Sequence, residues 1–475
     1  MTTAPRRWVE ALAAVLTSEE GADAGQAAKA FAARLPSGYF ERTTPAAAAA
    51  DRRVLQTLAA APPDTQLMAV ADDPDPAAGM FRLRLYGRHG VELSSFLPVL
   101  ESFGLIVVEA VPHRVESGLA DDPRLHLDDF GLRAPRAWRV DPQVDGPRLV
   151  AAAQASWRGD AETDSLNRLV LSAGLGWRDV VVVRAYRRYQ RQAGSTRTDQ
   201  QLDDPLVAFP AVTRALLGYF AAKFDPGADQ SPRALAAARQ GVLDGAAAVE
   251  RLEQDQVLRD YLALMDATLR TSYWVEDAGG GPRPTLTLKL DAAAVPGLPA
   301  PRPHAEAFVY SPRMEGLHLR AGLIARGGIR WSERPDDLRT EVLGLVRAQV
   351  LKNAIIVPTG AKGGFVCRRL TAASDAEEVR AEVRAGYEAF IRGLLDITDN
   401  VMAGRVVAPA GVRSADGDDP YLVVAADRGT ASLSDLANDI SAEYRFWLGD
   451  AFASGGSHGY DHKAMGITAR GAWIA

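Results

Sequence analysis

Residues 325–366 read ARGGIRWSERPDDLRTEVLGLVRAQVLKNAIIVPTGAKGGFV, and this stretch decides the architecture of the second half of the chain. Two glycine pairs, each beside a cation, flank one helical segment. From Pro335 to Lys352 the apolar residues Leu338, Val342 and Leu345 share a face with Ala348, and extending that stripe at about 100° per residue turns Lys352 inward. An ammonium so placed needs an anion, from the protein or from a ligand, because an unpaired buried charge is costly. The alternative is that Lys352 only complements the negative end of its helix. The run AIIVP then enters Gly360-Ala361-Lys362-Gly363-Gly364, read as a loop whose small residues let backbone amides approach a small anion.

The loop is not a Walker motif, since Lys362 has no glycine before it and no Ser or Thr after it. In a cleft beside other cations, Lys362 is placed to serve as a general base; otherwise it is a solvated lysine on a tight turn. Upstream, Arg326-Gly327-Gly328-Ile329-Arg330 offers two guanidinium groups with the fork geometry that grips carboxylates, or that pairs with Glu333, Asp336 or Asp337. Downstream, YLVVAADRGTASLSDLAN reads as a buried strand ending at Asp427, a turn at Gly429 and a helix from Ser434, which would cap it. A carboxylate at a strand end commonly lines a cleft, which makes Asp427 the candidate acid/base.

Outward from this stretch, TLTLKLDAA, AEAFVYSP and EGLHLRAGLIAR read as strands after a GGGPRP turn. Residues 160–275 have long helical periodicity and read as scaffold. Phe81, Leu83 and Leu85 alternate as a strand, ELSSFLPVLESFG follows as a helix and LIVVEAVPHRV as a second strand, the order of a small ferredoxin-like (ACT-like) regulatory module. Trp8, Leu12 and Leu16 mark an amphipathic helix in the Ala-rich start. The fold class is therefore α+β and α/β multidomain. Its parts are a helical segment at 1–75, the ACT-like module at 76–130, a helical scaffold at 131–280 and a mixed α/β domain at 281–475.

A chain of 475 residues exceeds one hydrophobic core, in keeping with that division. The 54 basic and 60 acidic side chains leave a charge of −6 with no basic stripe, which argues against nucleic acid. No export signal or membrane span is visible, and the single Cys367 cannot form an internal disulfide, so a reducing cytoplasm is expected. His458 and His462 around Asp461 are spaced like metal ligands, but Gly455, Gly456 and Gly459 oppose the helix that this spacing requires, and no metal is expected.

These motifs carry a resemblance. The 325–366 stretch, together with DPYLVVAADRGTASLSDLANDISAEYRFWLGDAFASGGSHGYDHKAMGITARGAW, resembles the large, multidomain NAD-dependent glutamate dehydrogenases, and weaker likeness extends upstream through EGLHLR, FVYSPR and NRLVLSAGLGWRDVVVVRAYRRYQRQAG. The resemblance implies oxidative deamination of L-glutamate to 2-oxoglutarate and ammonium with NAD. It implies that Lys362 is the catalytic base, that Lys352 holds the substrate α-carboxylate and that Asp427 exchanges protons with the amine. Arg326 stands where smaller relatives have a lysine for the side-chain carboxylate, beside Gly327, Gly328 and Gly360 in the substrate site. No Gly-x-Gly-x-x-Gly turn occurs in the 475 residues, so NAD is expected to be held by sequence not present here, the chain to form a homo-oligomer or to join a partner chain with the NAD domain, and this chain alone to be inactive. The rival expectation is a catalytically inactive amino-acid-binding or regulatory fragment.

Overall fold

The computed structural model describes residues 5–21, 24–62, 64–72, 80–116, 124–229, 231–352, 357–457 and 465–474. They fall into two units, Met1–Val180 and Val181–Ala475.

In the first unit a four-stranded antiparallel sheet is built from β1 (Leu67–Asp72), β2 (Met80–Gly87), β3 (Ile106–Glu116) and β4 (Arg124–Arg133), in the order β1-β2-β4-β3. The helix Leu93–Ser102 joins β2 to β3, and Pro142–Arg158 follows β4. This is the ferredoxin-like arrangement with one change: the edge position next to β2 is filled by β1 from in front of the unit, where a strand after the second helix would ordinarily stand. β1 falls inside the stretch read as helical, because its short apolar run is embedded in Ala-rich sequence. β4 escaped the sequence reading because Asp128 and Asp129 interrupt its apolar alternation.

Asp128 accepts from Val91 N–H at 2.9 Å, and Asp129 has its partners on the sheet's second face. On β2, Phe81, Leu83 and Leu85 point to one side, where Phe96 meets Phe130 at 5.1 Å between ring centroids. Arg82, Arg84 and Tyr86 point to the other and are fully buried. Arg82 pairs with Asp129 at 2.8 Å, Arg84 with Asp51 at 2.6 Å, and Tyr86 donates to Asp51 at 2.6 Å. Asp51 belongs to the helix Pro45–Ala60, capped by Thr44, and the N-terminal helices bury Leu12, Leu16 and Leu55 against the same face. Desolvated charges of this kind must be paired to be tolerated, which ties these helices to the sheet.

The second unit begins with helices including Asp199–Ala208, Pro210–Phe224, Pro232–Ala247 and Leu252–Ala267. Among the described residues no single helix is long and apolar enough to cross a membrane; the first two of these together pass on length and composition, but they meet at 98° and bury Leu202, Leu206, Leu216 and Phe220. Next comes an eight-stranded mixed sheet, made of β5 (Thr268–Thr271), β6 (Leu286–Leu290), β7 (Ala305–Tyr310), β8 (Met314–Arg320), β9 (Ala325–Trp331), β10 (Thr359–Cys367), β13 (Val423–Ala426) and β14 (Ala453–Ser454). The hairpin of β11 (Asn400–Met402) and β12 (Arg405–Val407) stands apart from it. The order is β14-β13-β9-β10-β8-β7-β6-β5. From β5 to β8 the chain meanders antiparallel, as the apolar runs suggested, whereas β9, β10, β13 and β14 lie parallel. The helix Leu338–Lys352 is the crossover from β9 to β10 that parallel pairing requires. The helix Ala376–Leu395, started by an Asp375/Glu378 capping box, presses Tyr387, Phe390 and Ile391 onto Phe365 and Val309 of the sheet.

His318 of β8 lies opposite Ala307 and Gly363 and is buried. Burial first, then the charge of Arg320, push its imidazole down to about 3, with Asp419 opposing. A depressed folded value means that only the unfolded chain takes up this proton between pH 6.5 and 3, so the fold weakens as pH falls through that window. By pH 4.5 the loss from this residue amounts to about 3 kcal/mol. The His318 imidazole resonance is expected to stay flat in NMR titration from pH 8 to 4.5, and a midpoint near 6.5 would contradict it.

Candidate functional site

β9, β10 and β13 lie side by side and parallel, with β9 in the middle. Arg326 stands opposite Gly360 on one neighbour and Val423 on the other, and Ala426, the last residue of β13, lies opposite Ile329. Asp427 follows β13 directly, as expected from the sequence. Its backbone N–H donates to Thr430 Oγ1 at 3.1 Å, and that hydroxyl donates to Ile329 O at 2.7 Å, so the turn is fastened to β9. Trp331 N–H donates to Arg428 O at 3.2 Å on the far side of the turn.

Across this junction Lys362 Nζ meets Asp427 Oδ2 at 2.8 Å, both side chains about five-sixths buried, at 17% and 15% exposure. The space they share is kept by Gly328, where a Cβ would lie 3.0 Å from Asp427 Cβ and 3.2 Å from Lys362 Nζ. Asp427 Oδ1 accepts from Arg428 N–H at 2.7 Å and from Arg330 at 3.2 Å. Burial alone would raise the Asp427 carboxyl. The hydrogen bond from Lys362, that from Arg428 N–H and the charges of Lys362 and Arg330 together outweigh it and hold the group below the usual carboxylate range.

Several expectations need correction. Gly360–Gly364 is no loop but part of β10, and its amides serve the sheet. Smallness is needed for packing instead: a Cβ at Gly363 would strike Ile329 and Phe390, and one at Gly364 would strike Val342. Arg330 pairs with none of the three local acids but with Glu341 at 3.0 Å and with Asp427, while Arg334 takes Asp337. Ser434 does not cap its helix: Leu433 holds the cap position without a side-chain bond, and Ser434 Oγ donates to Ser454 O. The Leu338–Lys352 helix starts after Pro335, and its buried arc runs through Leu338, Arg339, Val342, Leu343 and Val346. Leu345 is only half-buried and Ala348 is exposed, because a stripe stepped by four, three and three residues drifts off that arc. The side chain of Lys352 lies outside the described residues, as do His458, Asp461 and His462. Among the described residues no group of three His, Cys, Asp or Glu side chains is placed to hold a metal ion. Arg326 is exposed, with no hydrogen-bonded carboxylate among the described residues.

Three family models match. A bacterial NAD-glutamate dehydrogenase catalytic domain covers residues 242–475, glutamate dehydrogenase helical motif 3 covers 161–226, and the glutamate dehydrogenase ACT3 domain covers 67–144. Relatives named NAD-specific glutamate dehydrogenase agree: that of Mycobacterium tuberculosis is 44% identical over 100% of this chain, that of Pseudomonas aeruginosa 45% over 94% and that of Halomonas elongata 46% over 82%. The chain belongs to the NAD-specific glutamate dehydrogenase family. It spans only 24–30% of the length of these relatives. Within this chain the ACT3 match opens at the first residue of β1, and the catalytic-domain match contains all of β9, β10 and β13 with the Lys362–Asp427 contact.

Proposed function

We propose that this chain supplies the glutamate-binding and proton-transfer part of an NAD-dependent oxidative deamination of L-glutamate to 2-oxoglutarate and ammonium, in the cytoplasm, as a homo-oligomer or with a partner chain. The observation that carries the reading is the 2.8 Å contact between Lys362, within β10, and Asp427, just past the end of β13, made across Gly328 of the intervening strand β9. Arg326, exposed on β9, is given the side-chain carboxylate of glutamate, and Lys352 the α-carboxylate, with Gly327, Gly328 and Gly360 lining the site.

NAD is assigned no residues here. The strand–turn–helix after β13 has its Gly429 backed by Trp331, at 3.0 Å from a would-be Cβ, and this does not fit an open pyrophosphate turn. The steps given to this chain are therefore proton transfers on the substrate. Asp427 Oδ2 takes a proton from the substrate ammonium and frees the amine. With Asp427 neutralised by that proton, Lys362 Nζ gives up its own proton to solvent; on the iminium form of the oxidised substrate, water then attacks the carbon and gives a proton to Lys362 Nζ. Asp427 returns its proton to the nitrogen, the C–N bond breaks, and the hydroxyl proton passes to the departing ammonia, which leaves as ammonium.

Calorimetric titration of 2-oxoglutarate into the folded chain is expected to give saturable heat at millimolar ligand. Arg326→Ala should weaken binding by roughly 1.5–3 kcal/mol, the worth of a charge-assisted hydrogen bond. No heat from a demonstrably folded chain, or unchanged affinity in the variant, would count against the assignment.

A further inference from the structure

The two oxygens of Asp427 are not equivalent. Oδ1 receives both Arg428 N–H and Arg330, whereas among the described residues only Lys362 reaches Oδ2. A carboxylate oxygen has two lone pairs, so Oδ1 is saturated and Oδ2 keeps one direction for a ligand. Arg330 is itself fixed from behind: its other terminal nitrogen donates to Glu341 Oε1 at 3.0 Å, and Ser332 Oγ donates to Glu341 Oε2 at 2.6 Å. Glu341 sits in the first turn of the Leu338–Lys352 helix, 13% exposed, eleven residues beyond Arg330.

We infer that Arg330, braced by Glu341 and Ser332, is a positioning residue that aims Asp427 Oδ2 at the substrate nitrogen and sets its charge. The inference rests on Asp427 being the proton-exchanging group. Glu341 has a balancing part in it. By sharing the guanidinium, it limits how strongly Arg330 favours the ionised form of Asp427, which must still accept and return a proton. Among the described residues, the charged groups facing Asp427 are Lys362 from β10, Arg330 from β9 and, through Arg330, Glu341 from the helix, with the neutral Arg428 N–H of its own turn beside them. The Arg428–Glu333 pair at 3.7 Å is largely exposed and screened.

The signature is a pair of opposite shifts. In the 475-residue chain with carbon-13-labelled aspartate, the Asp427 resonance, identified by its loss in Asp427→Asn, is followed against pH. Arg330→Met should move its midpoint up, because a favourable charge is gone. Glu341→Gln should move it down, because Arg330 then acts on Asp427 alone. Arg330→Lys should restore part of the first shift. In the complete enzyme the acid limb of kcat against pH should follow the same directions, and kcat in Arg330→Met should fall by up to about 10²-fold from misplacement of Oδ2. A merely structural Arg330 would give no shift, or shifts of one sign, in either readout, and that result overturns the inference. If Arg330→Met fails to fold, Glu341→Gln and Ser332→Ala decide on their own, since both should alter the midpoint. Full activity in Asp427→Asn would instead overturn the parent reading, which keeps the two failures apart.

Discussion

Gly327→Ala is expected to leave no stable second unit. A Cβ at this position would lie 1.6 Å from Ala361 O and 2.7 Å from Ala361 C, both backbone atoms of β10, so no side-chain rotamer change relieves the overlap. β9 and β10 are neighbours in the middle of the sheet, and Ala361 is the residue before Lys362, so separating them disrupts pairing on β10 and displaces the lysine together. Ordinary overpacking costs about 1–3 kcal/mol, and a clash with backbone should exceed that. Set against the roughly 5–15 kcal/mol total stability of a domain, the loss should appear as aggregation or a steep drop in the denaturation midpoint. Gly344→Ala, on an exposed helical position with nothing within 4 Å, is the control and should stabilise slightly. A Gly327→Ala chain within about 0.5 kcal/mol of the parent, the scatter of neutral surface changes, would show that the two strands do not approach as described.

What was legible in the sequence follows from how local each signal was. β6, β7 and β8 announced themselves as apolar runs between turns, and Asp427 as the first polar residue after one. Lys362 and Asp427 were each read as candidates, but their contact was not readable, since they are 65 positions apart and meet only because β9 lies between their strands. The same distance effect hid Glu341. Three acids stood closer to Arg330 in sequence, yet strand geometry sends its side chain towards the helix that crosses over the sheet. In the first unit, composition misled for a physical reason: aspartates and arginines inside a strand signal a solvated edge unless they answer each other, and Arg82, Arg84 and Asp129 do. The glycines after Lys362 were read as ligand-facing when they are there for Phe390 and Val342 to pack upon.

Lys362→Ala, assayed in the complete enzyme, is expected to lower kcat by about 10²–10⁴-fold with a much smaller change in KM, as removal of a general base does. The fold should survive it. Asp427 keeps Arg330 and Arg428 N–H as partners, so no unpaired buried charge is left behind. Asp427→Asn should give a loss of similar kind. Because the two side chains share one hydrogen bond and pass the same protons, the double variant should be little slower than the slower single one, rather than showing the product of both defects. Lys352→Ala should differ in kind, raising KM by the equivalent of roughly 1.5–3 kcal/mol while kcat changes less, since a carboxylate contact is made in ground and transition states alike. Steady-state kinetics on the four variants at saturating NAD separates these cases. If Lys362→Ala raised KM with kcat unchanged, or if its defect multiplied fully with that of Asp427→Asn, then Lys362 would be a binding residue independent of the aspartate, and proton transfer would have to be assigned to other groups.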